Sequence, residues 1–338
     1  MMIQPLLFMS AMVVLITSVV TLETEITWYA PFLSGGGYCS EATSFMFAVE
    51  AVNYTDFSIS HHGDSFRSAY WTGLTDIEKS KIQYYDVDLG RERRQSKRTT
   101  RKVLSIDVCH SEPGAWDAPN PRYRTTSCPS KRRRLYSEGH QVVEYNIGRT
   151  MFETDRIPDG WVDRLNFMDE IWVPTDFAKE IFIKAGVSTD KLVVIGEAVD
   201  THFFRPMDVT TLTDHDRTHL GLPNTALLSS NSTVFLFVGK FESRKGLRML
   251  FRAYYTTFSA EDNVLLIILT SAYHTSEDYD AEINAILAKE NLTVDALTNP
   301  PRFIILSDVM QEGMPYLYSL ADALVGTFVN VMQPFSLS

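Results

Sequence analysis

Short apolar or β-branched runs alternate with helix-like stretches along the chain. The apolar runs predict strands at residues 25–30, 82–87, 103–108, 142–145, 170–173 and 191–195. Helical periodicity predicts helices at residues 41–52, 176–185 and 247–258. Strands separated by helices are typical of βαβ units. The pattern therefore predicts an α/β protein with parallel sheets.

A polar stretch divides this pattern in two. Residues 201–224 contain two prolines and lie between two complete α/β patterns, so they predict a linker. A first domain is then expected at residues 23–200 and a second at residues 225–338. A chain of 338 residues has the length expected for two domains.

The N-terminal 1–22 segment reads as a targeting sequence. Its apolar run, residues 6–20, is shorter than the roughly 20 residues that a transmembrane helix needs. It predicts a signal peptide or a short membrane anchor, with membrane association through the same run. Asparagine sequons at Asn53, Asn231 and Asn291 suit a secretory lumen. The expected location is the endoplasmic reticulum or Golgi lumen, or outside the cell.

Composition and charge narrow the class of protein. A hydrophobic fraction of 45% with 22% charged residues is typical of a folded globular chain. The net charge of −11 argues against nucleic acid as a partner. The three cysteines, Cys39, Cys109 and Cys128, permit at most one disulfide within the chain. No Cys/His cluster has zinc spacing, so no metal site is predicted.

A glycine turn follows the first predicted strand. Gly36 and Gly37 precede a predicted helix, where a glycine backbone and a helix N-terminus would admit a phosphate or a sugar. The run is not a G-x-G-x-x-G fingerprint, so a dinucleotide cofactor is not indicated. The alternative is a tight turn without a ligand.

Clustered cations follow a later apolar strand. Lys240 and Lys245 come directly after the run at residues 234–239. Open α/β sheets bind anionic ligands at the carboxyl ends of their strands, so these lysines are candidate phosphate ligands. A solvated turn is the alternative.

Two segments carry a resemblance to a known family. Residues 148–187 read GRTMFETDRIPDGWVDRLNFMDEIWVPTDFAKEIFIKAGV, and residues 234–246 read VFLFVGKFESRKG. They resemble the family 1/family 4 retaining glycosyltransferases of the GT-B architecture, and the likeness extends over about residues 25–325. It implies two facing Rossmann-type domains with parallel sheets, the second incomplete. It also implies a nucleoside diphosphate sugar as co-substrate and no other cofactor.

The same resemblance implies a role for several residues of the first domain. Gly36 and Gly37 would lie beside the donor diphosphate and the acceptor. His110, in the segment SIDVCHSEP, would lie near the transferred sugar and either hydrogen-bond it or stabilise charge in the transition state. A histidine that only satisfies a strand end is the alternative. Glu153 and Arg156 are candidate acceptor contacts, and they would otherwise pair with each other at (i, i+3).

In the second domain, Lys240 and Lys245 are similar to the family's phosphate-binding pair. They would offset the charge of a nucleoside diphosphate leaving group without a metal. The first position is usually arginine. Lys240 keeps the charge and loses the bidentate geometry, so weaker donor binding is expected.

The resemblance stops short of the family's acidic donor motif. In relatives a glutamate-bearing loop and helix follow the segment that matches residues 302–325, and no glutamate follows Glu312 here. The expectation is a C-terminally truncated form. The predicted function is metal-independent transfer of a hexose from a nucleotide sugar to a glycan, glycolipid or glycoprotein acceptor. The alternative is a non-enzymatic pseudoenzyme or isoform that retains only acceptor or partner binding.

Overall fold

A computed structural model describes most of the chain. The described residues are 23–54, 56–86, 103–121, 125–130, 142–152, 154–228, 231–270, 278–290, 292, 294–307 and 309–327. The predicted targeting segment at residues 1–22 lies outside them. The chain divides into two compact units, Met1–Val199 and Asp200–Ser338. The described helices include none that is both long and apolar enough to cross a bilayer.

The first unit is built on a six-stranded parallel sheet. Its strand order is β2-β1-β3-β4-β5-β6. The strands are β1 (Glu23–Ala30), β2 (Phe57–His61), β3 (Val103–His110), β4 (Val142–Arg149), β5 (Glu170–Val173) and β6 (Leu192–Val194). The helices are α1 (Gly37–Ala51), α2 (Ser68–Gly73), α3 (Asp76–Tyr85), α4 (Trp161–Phe167) and α5 (Asp176–Ala185). Because all strands are parallel, their carboxyl ends meet at one edge of the sheet.

Both faces of this sheet are buried, as a parallel sheet requires. Along β1 the side chains alternate, so that Trp28 belongs to one hydrophobic cluster and Tyr29 to the other. Trp28 is fully buried, stacks on Phe45 of α1 at 5.1 Å and lies 6.1 Å from Trp172 of β5. The first cluster therefore joins α1 to the middle of the sheet.

The second unit has a smaller parallel sheet with the order β10-β7-β8-β9. Its strands are β7 (Thr233–Val238), β8 (Val264–Leu269), β9 (Phe303–Leu306) and β10 (Ala323–Leu324). Its helices are α6 (Asp214–Leu220), α7 (Leu247–Thr257), α8 (Tyr279–Leu287), α9 (Val294–Thr298) and α10 (Met314–Leu320). Helix α7 buries Leu247, Leu250, Phe251 and Tyr254, which share one helix face.

One sequence prediction differs from the structure. The run at residues 82–87 was predicted as a strand, but residues 82–85 form the end of helix α3. A capping box starts this helix, in which the Thr75 hydroxyl accepts from the Glu78 amide and the Glu78 carboxylate accepts from Thr75. The predicted linker at residues 201–224 lies in the second unit and contains α6 and the 3-10 turn Val209–Thr211.

One disulfide joins Cys109, at the end of β3, to Cys128, and Cys39 is a buried free thiol. The bridge spans a sequence separation of 19 residues. A loop of this length is expected to add about 3 kcal/mol to the free energy of unfolding.

We predict that denaturant unfolding of Cys128→Ser will show a loss of about 3 kcal/mol relative to the oxidised chain. Thiol titration of the denatured, unreduced chain should find the Cys39 thiol alone. Cys39→Ala, which leaves the bridge intact, is the control for removing a buried sulfur. Three reactive thiols in the unreduced chain would contradict the assignment.

Candidate functional site

The glycine turn lies at the carboxyl edge of the first sheet, directly after β1. Gly35 has a φ of +71°, and a Cβ there would lie 2.8 Å from Tyr70 Cδ2, so this position requires glycine. Gly36 has a φ of −89°, and a Cβ on Gly37 would meet no atom within 4 Å. Contacts among the described residues therefore explain why position 35 is glycine. At Gly37 they leave open space for a side chain.

Three buried side chains, Glu41, Arg149 and His110, form a hydrogen-bonded cluster at helix α1, which follows this turn. Glu41, on the first turns of α1, accepts from Arg149 Nε at 3.0 Å and also from the second terminal nitrogen of that guanidinium. His110 Nε2 lies 2.8 Å from the other Glu41 oxygen. The Arg149 side chain is 0% exposed and that of Glu41 is 4% exposed. This cluster joins α1 to the ends of β3 and β4.

The hydrogen bonds of His110 determine its tautomer. Trp28 Nε1 donates to His110 Nδ1 at 3.1 Å, so Nδ1 carries the lone pair and Nε2–H donates to Glu41. The ring has no exposed surface. His110 therefore ends β3 as expected, and its contact with a sugar remains a prediction. Both nitrogens are bonded within the protein because the ring points into the core.

Burial and pairing shift the pKa values in this cluster. Burial raises the pKa of Glu41, but the His110 hydrogen bond and the Arg149 guanidinium outweigh it, so the pKa lies below its usual range. Burial lowers the pKa of His110 and outweighs the Glu41 carboxylate. At neutral pH the cluster is an ionised Glu41–Arg149 pair with a neutral His110.

Tyr38 fixes the start of α1 to the end of β4. Its hydroxyl lies 3.1 Å from Thr150 Oγ1, donates to the Met151 carbonyl at 3.1 Å and accepts from the Met151 amide at 3.3 Å. Its ring lies edge-on to His110 at 5.7 Å. Tyr38 and Glu41 are one helical turn apart, so two contacts hold the N-terminus of α1 in place.

Arg149 also reaches the end of β6, where its guanidinium donates to the Ile195 carbonyl. Glu197 follows two residues later and is exposed. Partial desolvation and the nearby Glu41 carboxylate raise the pKa of Glu197. Sequence reasoning did not single out Tyr38, Glu41, Arg149 or Glu197 as a group. The available signal was limited to Arg149 and Glu197, two charged residues that follow the predicted strands at residues 142–145 and 191–195.

The predicted acceptor contacts are only partly described. Arg156 is exposed, and its Nε lies 3.4 Å from Asp155 Oδ1. Glu153 lies outside the described residues. An exposed ion pair of this kind contributes little to stability.

In the second unit, Lys240 and Lys245 lie together at the carboxyl end of β7. Lys240 follows Gly239, and a Cβ on Gly239 would lie 3.8 Å from Lys245 Cδ. Both lysines are half-buried. Helix α7 begins at Leu247, and its N-cap residue, Gly246, provides no side-chain cap. Lys245 thus lies two residues before the positive end of a helix dipole.

Gly246 fixes the backbone of this lysine loop. Its φ is +71°, and a Cβ there would collide with the Thr327 carbonyl oxygen. The Thr327 hydroxyl donates to the Lys245 carbonyl at 3.0 Å. The segment after β10 therefore packs against the loop. Among the described residues, no group of three or more His, Cys, Asp or Glu side chains could hold a metal ion.

We predict that Glu41→Gln will lower the free energy of unfolding by about 3–5 kcal/mol, because it leaves the Arg149 charge buried without a partner. A Glu41→Leu, Arg149→Met double variant should recover much of that loss in urea unfolding. The control is Glu50→Gln on the same helix. Glu50 forms a partly exposed pair with Lys81 at 2.6 Å, whose loss should cost at most about 1 kcal/mol. Glu41→Leu and Arg149→Met are also measured singly. If their losses of unfolding free energy simply add in the double variant, the two side chains do not form a buried pair.

His62, at the end of β2, predicts acid sensitivity. It is 1% exposed, Nδ1 donates to the Thr126 carbonyl at 2.8 Å, and burial lowers its pKa from 6.5 to about 4. Below pH 6.5 the unfolded chain binds a proton that folded His62 does not. Stability should therefore fall by about 3 kcal/mol as the pH drops from 6.5 to 4.

The variant His62→Asn keeps a donor for Thr126 and removes the titration. Its unfolding free energy should lose about 3 kcal/mol less on acidification than that of the natural chain. The variant His215→Asn, at an exposed position, serves as the matched control for replacing a histidine by asparagine. If His62→Asn leaves the profile unchanged as well, His62 is not the responsible group.

Comparison with known proteins identifies the fold. No protein-family model matches the sequence, and no curated protein sequence matches it. Solved structures of Anabaena HepE do match. HepE with UDP and glucose is 13% identical, with 90% of this chain and 74% of HepE covered and a TM-score of 0.53.

Two further HepE complexes cover the same shares of each chain. The UDP-glucose complex is 14% identical with a TM-score of 0.52, and the UDP complex is 15% identical with a TM-score of 0.53. At these identities the likeness concerns the fold. The two parallel α/β sheets and this match give the chain the GT-B fold of the glycosyltransferases.

Proposed function

We propose that this protein is a glycosyltransferase that binds a nucleoside diphosphate sugar through the lysine loop of its second unit. The observation that carries the proposal is the pair Lys240 and Lys245 at the carboxyl end of β7, beside the start of α7. Support comes from the fold, because HepE has been crystallised with UDP and with UDP-glucose.

The chemistry of the loop suits a diphosphate. When a hexose is transferred, the bond between its anomeric carbon and the diphosphate oxygen breaks, and an acceptor oxygen bonds to that carbon. The acceptor loses its proton, and the diphosphate leaves with the bonding electrons. Two ammonium groups and the positive end of a helix favour that developing charge. The transfer proposed here needs no metal.

The carboxyl edge of the first unit's sheet exposes acidic side chains. Asp64 lies close to the glycine turn, since a Cβ on Gly36 would be 3.8 Å from its Oδ2. Glu112 and Glu197 are exposed at the same edge. Carboxylates accept hydrogen bonds from hydroxyl groups and repel phosphate. We therefore assign Gly36 and Gly37 to the hydroxyl groups of a sugar or of a glycan, glycolipid or glycoprotein acceptor.

His110 has a supporting role in this proposal. Its bond to Glu41 leaves one carboxylate oxygen for Arg149 and orients the start of α1. It is a positioning residue, because its ring is buried and both nitrogens are used. Arg156 remains a proposed acceptor contact, and Glu153 retains the same proposed role.

A direct assay separates transfer from binding alone. The purified full chain would be incubated with labelled nucleotide sugars and a glycan acceptor panel, and products would be measured by mass spectrometry. Transfer to an acceptor supports the enzyme. Tight nucleotide-sugar binding without transfer or hydrolysis would instead favour the non-enzymatic alternative.

We predict that Lys240→Ala and Lys245→Ala will each weaken nucleoside diphosphate binding at least tenfold, because each removes a charge-assisted hydrogen bond worth about 1.5–3 kcal/mol. Thermal shift with UDP, GDP and ADP measures this, since a ligand of the native state raises the unfolding midpoint. Lys184→Ala, an exposed lysine on α5, is the charge-matched control. Equal shifts in all three variants would refute the phosphate assignment.

We also predict that Gly37→Leu will weaken binding of a glycan acceptor about tenfold without lowering the unfolding midpoint. The added side chain would occupy open space at the start of α1, where leucine favours the helix over glycine. Gly73→Leu is the control, because a Cβ on Gly73 also meets no atom within 4 Å. Unchanged affinity in Gly37→Leu would exclude the turn from the binding surface.

A further inference from the structure

Asn231 lies on an exposed turn that leads into β7. It begins the sequon Asn231-Ser232-Thr233, and both Asn231 and Thr233 are exposed. The other two sequons include Thr55 and Asn291, which lie outside the described residues. Asn231 is thus a sequon asparagine whose whole tripeptide is described.

The middle residue of this sequon is fixed to the sheet. The Ser232 hydroxyl donates to Asn263 Oδ1 at 2.8 Å and accepts from an Arg302 guanidinium nitrogen at 2.9 Å. The Thr233 amide donates to the Asn263 carbonyl at 2.9 Å. These bonds hold the backbone against the neighbouring chain segments, so a group attached to Asn231 would not have to displace packed side chains.

The sequon also lies at the opposite end of β7 from the lysine loop. Thr233 begins the strand and Lys240 follows its last residue by two positions. At about 3.3 Å per residue, these positions are roughly 20 Å apart. A bulky group on Asn231 is therefore compatible with an open lysine loop.

We propose that Asn231 carries an N-linked glycan. The Asn231 amide nitrogen would bond to the anomeric carbon of an oligosaccharide linked to a lipid diphosphate, in a reaction of the lumenal oligosaccharyltransferase. The bond from that carbon to the diphosphate breaks, the lipid diphosphate leaves with the electron pair, and the amide loses a proton. The proposal depends on the secretory location expected for the chain and not on the proposed glycosyltransferase activity.

The test is expression of the full chain in a eukaryotic secretory host, followed by peptide mapping before and after peptide N-glycosidase digestion. Glycan on the Asn231 peptide is expected in the natural chain and in Thr233→Ser, which keeps the sequon. It should be lost in Asn231→Gln and in Thr233→Val, which keeps the β-branched shape and removes the hydroxyl. An unmodified Asn231 in the natural chain would overturn the proposal.

Two further arms make each outcome decisive. The full chain is also expressed behind a cleavable secretory leader, and modification that occurs only there would overturn the proposal for the natural chain. No modification with the leader would show that the turn itself is not an acceptor. Nucleoside diphosphate thermal shifts of glycosylated and deglycosylated chain should agree, so a failed donor site would be recognised separately from a failed glycan site.

Discussion

The first unit depends on the buried pair between Glu41 and Arg149. Neither charge reaches solvent, and each would be costly to bury alone. Because Arg149 also binds the Ile195 carbonyl and Glu41 also binds His110, the pair connects α1 with the ends of β3, β4 and β6. The glycine turn and these strand ends therefore cannot shift independently without separating the charges.

The two candidate surfaces differ in charge, and this difference supports separate ligand chemistries. Asp64 lies close to the glycine turn of the first unit, whereas lysines follow β7 in the second. In each case the strand ends bring the groups together. Parallel strands place their carboxyl ends at one edge, so residues distant in sequence become neighbours there.

Local patterns predicted much of the fold. The strand Glu170–Val173 and the helix Asp176–Ala185 have the predicted bounds, because a short apolar run and an amphipathic helix with a threonine cap are strong local signals. Residues 82–85 are helical, although a strand was predicted for the run that contains them. The apolar Ile82 and its aromatic neighbours suggested a strand, while the decisive capping box at Thr75 and Glu78 lies further upstream.

The sequence by itself determined the alternation of strands and helices and the placement of His110, Lys240 and Lys245 just at or after strand ends. Only the tertiary structure decided that His110 points into the core and that Glu41 pairs with Arg149. The physical reason is that such interactions depend on burial and on distance through space. Glu41 and Arg149 are 108 residues apart along the chain and in hydrogen-bond contact in the fold.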